Sequence, residues 1–319
     1  MYNTTDAVPR IDLSTVLMEA VHQDEQFIGQ LVLPVNESEM EYGRYPRFRI
    51  ASGGLLKKQS QKRNQSGTYN ESNLSFEWDN YQTEEFGHEE RIDDVIRKRM
   101  KNFFDAEVIT AKDCMRKVML DYEVTVASTV LDPDTFNSAS PVAAYSNANL
   151  ATMDVPADIN AAIEAMNNVG EQPNTLVLSL HLWNLIKRSQ KMQTYLYGFL
   201  NTTQGGSNIS TQIVAEAFNL KQIIIARKTV DLALPGKAPN IQPVWGNDYL
   251  FLGDIQGGDF KAGGVGRTMI WDADSEGGLF TTDTYRDEKR RGDIVRVRSN
   301  RTEKIINPNA GFLISTTAD

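Results

Sequence analysis

His88 to Asp132 reads HEERIDDVIRKRMKNFFDAEVITAKDCMRKVMLDYEVTVASTVLD, with no glycine and no proline. Ile92, Ile96, Met100, Phe103, Ala111, Met115, Val118, Tyr122 and Val126 recur on a rhythm of three and four residues, with charged residues between them. That pattern is one apolar stripe along a helix. The acidic opening (Glu89, Glu90, Asp93, Asp94) suits the positive end of a helix dipole, and Asp132-Pro133 is a stop signal. The reading predicts one helix from Glu89 to Ala127, about 58 Å long if unbroken. The alternative is two helices in sequence, broken near residues 104–107. The β-branched tail from Val124 to Val130 is the weaker end. Such a strut suits a coiled coil, a helical repeat or an elongated building block better than a compact enzyme.

The chain of 319 residues is long enough for two or three domains with cores of their own. A net charge of −9 and a pI near 5.0 argue against a protein that coats nucleic acid with its whole surface. The single cysteine, Cys114, excludes an internal disulfide and is expected on or beside the buried stripe, as a small apolar residue. No run of 18 apolar residues exists, and no basic-then-apolar leader opens the chain, so a cytosolic setting is expected, including that of a bacterial host.

Upstream of the stripe, residues 1–40 read as an arm. A short amphipathic helix over Ile11 to Val21, capped by Asp12 or Ser14, is followed by an extended apolar stretch from Phe27 to Val35. Residues 41–83 read as a long β-hairpin, because Phe48 and Ile50, then Leu74, Phe76 and Trp78, alternate with polar residues. The Gly-, Ser-, Gln- and Asn-rich stretch from Gly53 to Ser72 has little to bury and is expected to project toward a partner.

Charge is segregated here. From Tyr42 to Asn70 there are seven basic residues (Arg44, Arg47, Arg49, Lys57, Lys58, Lys62, Arg63) and no acidic one. From Glu71 to Asp94 there are nine acidic residues (Glu71, Glu77, Asp79, Glu84, Glu85, Glu89, Glu90, Asp93, Asp94) against Arg91. The basic tip could pair with the acidic flank within one chain, or with that of a neighbouring subunit, setting register and encounter more than affinity. Two solvated faces are the plain alternative. A nucleic-acid contact through Lys57, Lys58, Lys62 and Arg63 is a third, with only Tyr69 nearby to stack on a base.

Downstream, Asp132 to Asp154 reads as a loop. Helices are predicted over Val155 to Val169 (capped by Asp154, with Pro156 in the first turn), His181 to Gln190, and Ile213 to Phe218 (capped by Ser210). Strands are predicted over Asn174 to Leu180, Lys221 to Arg227 and Tyr249 to Leu252, which makes residues 155–262 a mixed α/β unit. Asn201 to Asn208 is a polar loop. The last sixty residues read as strands, at Thr268 to Trp271, Leu279 to Tyr285, Ile294 to Ser299 and Gly311 to Ser315. Arg296 and Arg298 alternate with Val295 and Val297 in a half-buried antiparallel strand.

No catalytic constellation emerges. His22, His88 and His181 lack a second His or Cys at metal spacing, so no metal site and no cofactor are expected. Gly263-Gly264-Val265-Gly266-Arg267-Thr268 resembles a phosphate loop but lacks its Lys-Ser/Thr and runs into a strand, so a tight turn is the better account. Asp254, Asp259, Asp272 and Asp274 could pair or bind a cation, with turn-forming Asp as the default.

From Asn174 onward the order of features resembles the major capsid proteins of tailed bacteriophages, the Hong Kong 97-type shell fold. The carrying pieces are Asn174 to Leu180 followed by Trp183 and Leu185, Ile213 to Leu220 running into Lys221 to Ala226, and Trp245 to Leu252. They continue with Gly264 to Trp271, Thr284 to Glu288, Asp293 to Arg298, Ile305-Ile306 and Gly311 to Ile314. The arm, the hairpin loop and the long helix fit the same plan upstream. The resemblance implies an α+β chain with an N-terminal arm (1–40), an extended β-hairpin loop (41–88), and a spine helix opening a peripheral domain (89–150). A mixed α/β axial domain (151–265) and the peripheral C-terminal strands (266–319) follow.

It implies a non-enzymatic shell subunit that assembles into hexamers and pentamers around double-stranded DNA, with a portal, a scaffold and in some shells a cement protein as partners. It implies no sequence-specific DNA contact and no membrane, location in a virion capsid, and assembly in the host cytoplasm. Arg47, Arg49, Lys57, Lys58, Lys62 and Arg63 would touch a neighbour, with Glu77, Asp79, Glu84, Glu85, Glu89, Glu90, Asp93 and Asp94 as the acidic counterpart. Gln204, Gly205, Gly206 and Ser207 would face the axis. No protease-like or long helical segment precedes the arm, so a separate scaffold is expected. No residue pair for a covalent cross-link carries over. The other readings are an encapsulin-like nanocompartment shell and a cytosolic α/β enzyme built on the Gly263 to Thr268 turn and its Asp neighbours.

Overall fold

A computed structural model of the chain describes residues 8–9, 26–47, 58, 62–63, 67–69, 77–100, 106–200, 209–258, 263–274 and 278–318. The first half holds β1 (Val8–Pro9), α1 (Gly29–Val32), β2 (Val35–Ser38), β3 (Tyr42–Arg47), β4 (Glu77–Gln82), β5 (Glu84–Asp93), α2 (Asp94–Met100), α3 (Ala106–Val130), β6 (Asn137–Ala139) and α4 (Val155–Asn168). Then come β7 (Thr175–Ser179), α5 (Leu180–Arg188), α6 (Gln190–Leu200), α7 (Thr211–Ala217), β8 (Gln222–Ala226), β9 (Thr229–Asp231), β10 (Ile241–Pro243), β11 (Tyr249–Gly253), β12 (Gly266–Trp271), β13 (Thr281–Asp287), β14 (Gly292–Ile305) and β15 (Gly311–Ser315).

The apolar stripe is real from Ala111 onward. Ala111, Cys114, Met115, Val118, Met119, Tyr122, Val126, Ala127 and Val130 are all buried on one side of α3. The β-branched tail stays helical because Val126 and Val130 are fully buried, so packing outweighs propensity. The predicted start is corrected. Glu89 to Asp93 are the end of β5, and the helical residues begin at Asp94. Residues 101–105, which decide between one helix and two, lie outside the described residues. Tertiary pairing explains the correction: β5 runs antiparallel to β14 for its whole length, with Glu84 opposite Arg301 and Glu89 opposite Arg296. Ile96, assigned to the stripe, is half-exposed on α2.

β14 is the centre of a six-stranded sheet. β5 lines one edge, and β13 and then β12 line the other. Val295 and Val297 are completely buried among the residues that pack with the α3 stripe, while Arg296 and Arg298 point to the other face. β2 closes the sheet in parallel with β12. Phe27 to Val35, expected to be extended, contains the turn α1 before β2, because Glu123 supplies acceptors for the N–H groups of Ile28 and Gly29. The predicted amphipathic helix over Ile11 to Val21 lies outside the described residues.

The second sheet has the order β6-β15-β11-β7-β8. Gly311 to Ser315, grouped by sequence with the preceding strands, pairs here with β11 and β6. Both faces are buried, and the period of two divides them. Leu176, Leu178, Leu250, Leu252, Phe312 and Ile314 pack with α4 to α7. Val177, Ile224, Ala226, Phe251 and Leu313 join the core of α3 and the first sheet. The sheet is therefore shared between two cores. The Asp154 cap forms as predicted, accepting from Ala157 N at 3.3 Å, and so does the Ser210 cap. Helix α6 and the β9–β10 hairpin were not read from the sequence.

Gly266 opens β12 where a Cβ would lie 2.5 Å from the Lys304 carbonyl oxygen and 3.0 Å from Leu33 Cδ2. Both neighbours are held by sheet pairing or full burial. Gly266→Ala is therefore expected to destabilise the folded chain by about 1–3 kcal/mol, the usual cost of overpacking, read as a lower midpoint in urea unfolding.

Candidate assembly surfaces and the joint that positions them

Glu123 lies on the buried side of α3 with no exposure. Its carboxylate accepts from Ile28 N at 3.1 Å, Gly29 N at 2.8 Å and Trp245 Nε1 at 2.6 Å. One side chain thus ties together the arm, the spine helix and the segment before β11. A Cβ on Gly29 would lie 2.9 Å from Glu123 Oε2 and from Tyr122 Cε1, so only glycine lets the backbone approach this closely. Next to it, Tyr122 Oη and Thr268 Oγ1 lie 2.8 Å apart, and Thr268 donates to Leu33 O at 3.1 Å. Burial pushes the Glu123 carboxyl above the ordinary glutamate range, against the lowering pull of its three donors and Lys228. The sequence signal for this joint was a lone acid at a stripe position, between Tyr122 and Val126.

The β3–β4 ribbon is anchored at its base. Tyr45 and Tyr81 are buried with Met269 and Ile306. Tyr45 Oη donates to Asp79 at 3.1 Å, and Tyr81 Oη meets Ser38 Oγ at 2.5 Å. The antiparallel pairing of Tyr42–Arg47 with Glu77–Gln82 falls within the predicted hairpin, while Phe48, Ile50, Leu74 and Phe76, whose alternation suggested it, lie outside the described residues. Of its proposed contact residues, Arg47 ends β3, and Lys58, Lys62 and Arg63 are exposed. Arg63 donates to Gly67 O at 2.7 Å and stacks 4.9 Å over Tyr69. Arg49 and Lys57 lie outside the described residues, as do Gln204, Gly205, Gly206 and Ser207.

The fold divides the acidic set. Glu77 and Asp79 belong to the ribbon, and Glu84 and Glu85 are exposed on β5. Glu89 accepts from Tyr285 Oη at 3.0 Å, and Glu90 pairs with Lys117. Asp93 caps the turn at Val95 N at 2.8 Å. Asp94 takes both arms of Arg286, at 2.7 and 2.8 Å, and that guanidinium holds its carboxyl below the usual range. Asp79, Glu89, Glu90, Asp93 and Asp94 are thus engaged inside their own chain.

The chemical candidates also resolve into structure. The Gly263–Gly266 turn wraps a fully buried Arg267, which donates to the carbonyls of Gly258, Gly263 and Gly266 at 3.0, 2.8 and 2.7 Å. A cation with its donors turned onto that loop makes it a pinned turn. Asp254 accepts from Asn174 at 2.6 Å, Asp274 pairs with Arg298, and Asp259 lies outside the described residues. The fold brings His88, Glu90 and Cys114 within 4.8 Å of one another, which spacing alone did not suggest. Lys117 already pairs with Glu90, and burial pushes the Cys114 thiol up to about 12.

No family model matches the sequence, and no curated protein matches it. Solved structures do. A phage-related protein from Bordetella bronchiseptica superimposes with a TM-score of 0.72 at 19% identity, over 98% of this chain and 98% of that one. The chain has the Hong Kong 97-type capsid shell fold. The capsid of cyanophage P-SCSP1u shares it with a TM-score of 0.56 at 9% identity, over 90% and 87% of the two chains. An encapsulin of Synechococcus elongatus does so at 0.52 and 10%, over 99% and 93%.

Two measurements test the joint. Glu123→Ala would strand the N–H groups of Ile28, Gly29 and Trp245, each buried donor costing about 1–3 kcal/mol; urea unfolding should show a loss of at least that size. Glu123 is also held above its unfolded value of 4.5. The native state therefore takes up this proton first as pH falls, and the stabilisation is complete below the unfolded value and lost as pH rises through the folded one. Relative to Glu123→Gln, the wild type should gain stability on acidification from neutral pH toward 4.5.

Proposed function

We propose that the chain is the major subunit of an icosahedral shell, assembling as hexamers and pentamers around double-stranded DNA. The observation that carries this reading is the β3–β4 ribbon. Its base is bolted to the rest of the chain by Tyr45 and Tyr81, while Tyr42 and Trp78 are 73% and 64% exposed on its other face. A ribbon with a buried root and large exposed aromatic side chains is suited to lie on a neighbour. Lys58, Lys62 and Arg63, with Lys57 and Arg49, would meet an acidic flank of the next subunit, Glu84 and Glu85 foremost. The five-stranded sheet with α4 to α7 would form the axial domain, with residues 201–208 at the symmetry axis. The six-stranded sheet and α3 would form the peripheral domain. A net charge of −9 suits an inner wall that must let DNA slide past during packaging.

A portal, a separate scaffold and a cement protein would be its partners, in a virion assembled in the host cytoplasm. The likeness to an encapsulin favours a second reading, a nanocompartment shell around a protein cargo.

Light scattering and negative-stain imaging of the purified chain, alone and with a co-expressed scaffold, test the proposal. Closed shells or rings of five and six are expected. Deleting residues 57–63 should lower their yield at least tenfold while leaving the subunit folded. Nuclease-protected DNA inside particles selects the capsid, and a co-purifying enzyme selects the nanocompartment. A stable 35.8 kDa monomer at high concentration, with and without scaffold, would remove both.

A further inference from the structure

Between β8 and β11 the chain makes an excursion whose strands, β9 and β10, pair only with each other among the described residues. A lone two-stranded hairpin is marginal in water, yet this one is held in shape. Asp231 Oδ1 accepts from Ala233 N at 2.9 Å and Asn240 N at 2.8 Å, Leu232 N donates to Asn240 O at 3.0 Å, and Lys237 N to Leu234 O at 3.0 Å. Its root is fixed too, with Lys228 Nζ 3.8 Å over the Phe27 ring and Trp245 bound to Glu123. This preformed element turns Leu232, Leu234 and Ile241 to solvent, at 57%, 72% and 67% exposure.

We propose that the β9–β10 hairpin of one subunit docks on the outer face of the β3–β4 ribbon of a second copy of this chain. The inference rests on the shell reading above. Register puts Tyr42 and Trp78 on the ribbon face opposite Tyr45 and Tyr81, and Met40 beside them is 64% exposed. Charge is complementary along one border of that face: residues 227–244 carry Arg227, Lys228 and Lys237 against Asp231 alone, and the strip leading into the ribbon exposes Glu37, Glu39 and Glu41 with no basic residue among residues 37–41, while the face itself carries one exposed cation, Arg44. An apolar contact rimmed by opposite charge selects both partner and register. Both patches are exposed within the single chain, so neither covers the other there. Because they differ, the contact is heterologous: every copy offers one of each, and the contact can repeat around a ring. The preformed hairpin keeps the ordering cost of docking low.

The test uses the full chain under conditions in which the wild type assembles. Leu232→Asp with Leu234→Asp replaces two exposed side chains, so the circular dichroism spectrum and melting temperature of the subunit should hold while the assembled fraction falls at least tenfold. In wild-type particles built from mixed ¹⁴N and ¹⁵N chains, a carbodiimide should join Lys237 to Glu37, Glu39 or Glu41 in peptides of mixed label. Wild-type particle yield from the double Asp variant, or no Lys237 coupling to that strip, would overturn the contact and leave the shell reading standing. A wild type that forms no particle would remove the shell reading and this contact with it.

Discussion

A carboxylate sealed from water in the middle of a helix is costly unless every lone pair it offers is used. Glu123 uses its two oxygens on three donors from two distant parts of the chain, and the architecture around it follows from that requirement. Residues 28 and 29 must bring their backbone N–H groups to α3, so the arm makes its turn there. Trp245 must reach the same oxygen from the other side, so the segment before β11 closes over the spine. The arm then passes Leu33 to Thr268 and enters the six-stranded sheet as β2. Tyr122 and Thr268, bonded to each other and to Leu33 O, continue the polar joint toward the first sheet.

Around the joint, one packing arrangement serves two sheets. The α3 stripe meets β14 on one side, and its core is continuous with the inner face of the five-stranded sheet through Phe251, Val177 and Leu313. The opposite face of that second sheet belongs to the helical layer. Two pairs of strands stand apart from these sheets among the described residues, the β3–β4 ribbon and the β9–β10 hairpin. Each is tied down at its root and exposes large apolar side chains, Tyr42 and Trp78 on the ribbon and Leu232, Leu234 and Ile241 on the hairpin. Exposed apolar surface of this kind suits contact with another surface.

Charge has a double use. Much of the acidic run before the spine is engaged within the chain, Asp94 with Arg286 and Glu90 with Lys117. The first ties α2 to β13, and the second ties β5 to α3. The acids that stay exposed lie on β5 and in the strip before the ribbon. A buried cation follows the same logic. Arg301, with no exposure, lies between the rings of Phe86 and Tyr122 at 4.3 and 5.2 Å and pairs with Glu303 and Asp121.

The sequence by itself determined the elements whose physics is local. The stripe of α3 from Ala111 to Val130, the caps at Asp154 and Ser210, the alternation of β14 and the apolar strands β7 and β11 are written in spacing and side-chain type. Their order along the chain was enough to suggest the shell fold. Only the tertiary structure decided the rest, because the deciding partners are far away in sequence. Glu89, Glu90 and Asp93 carry charges that suit a helix start, yet Glu84 to Asp93 form a strand because β14 offers a backbone partner along their whole length. Phe27 to Val35 turns because Glu123 lies 94 and 95 residues on from Gly29 and Ile28. Gly311 to Ser315 joins the second sheet because β11 leaves an open edge for it. No window of neighbouring residues contains those partners, so local pattern could not choose between conformations that each segment, taken alone, adopts at nearly equal cost.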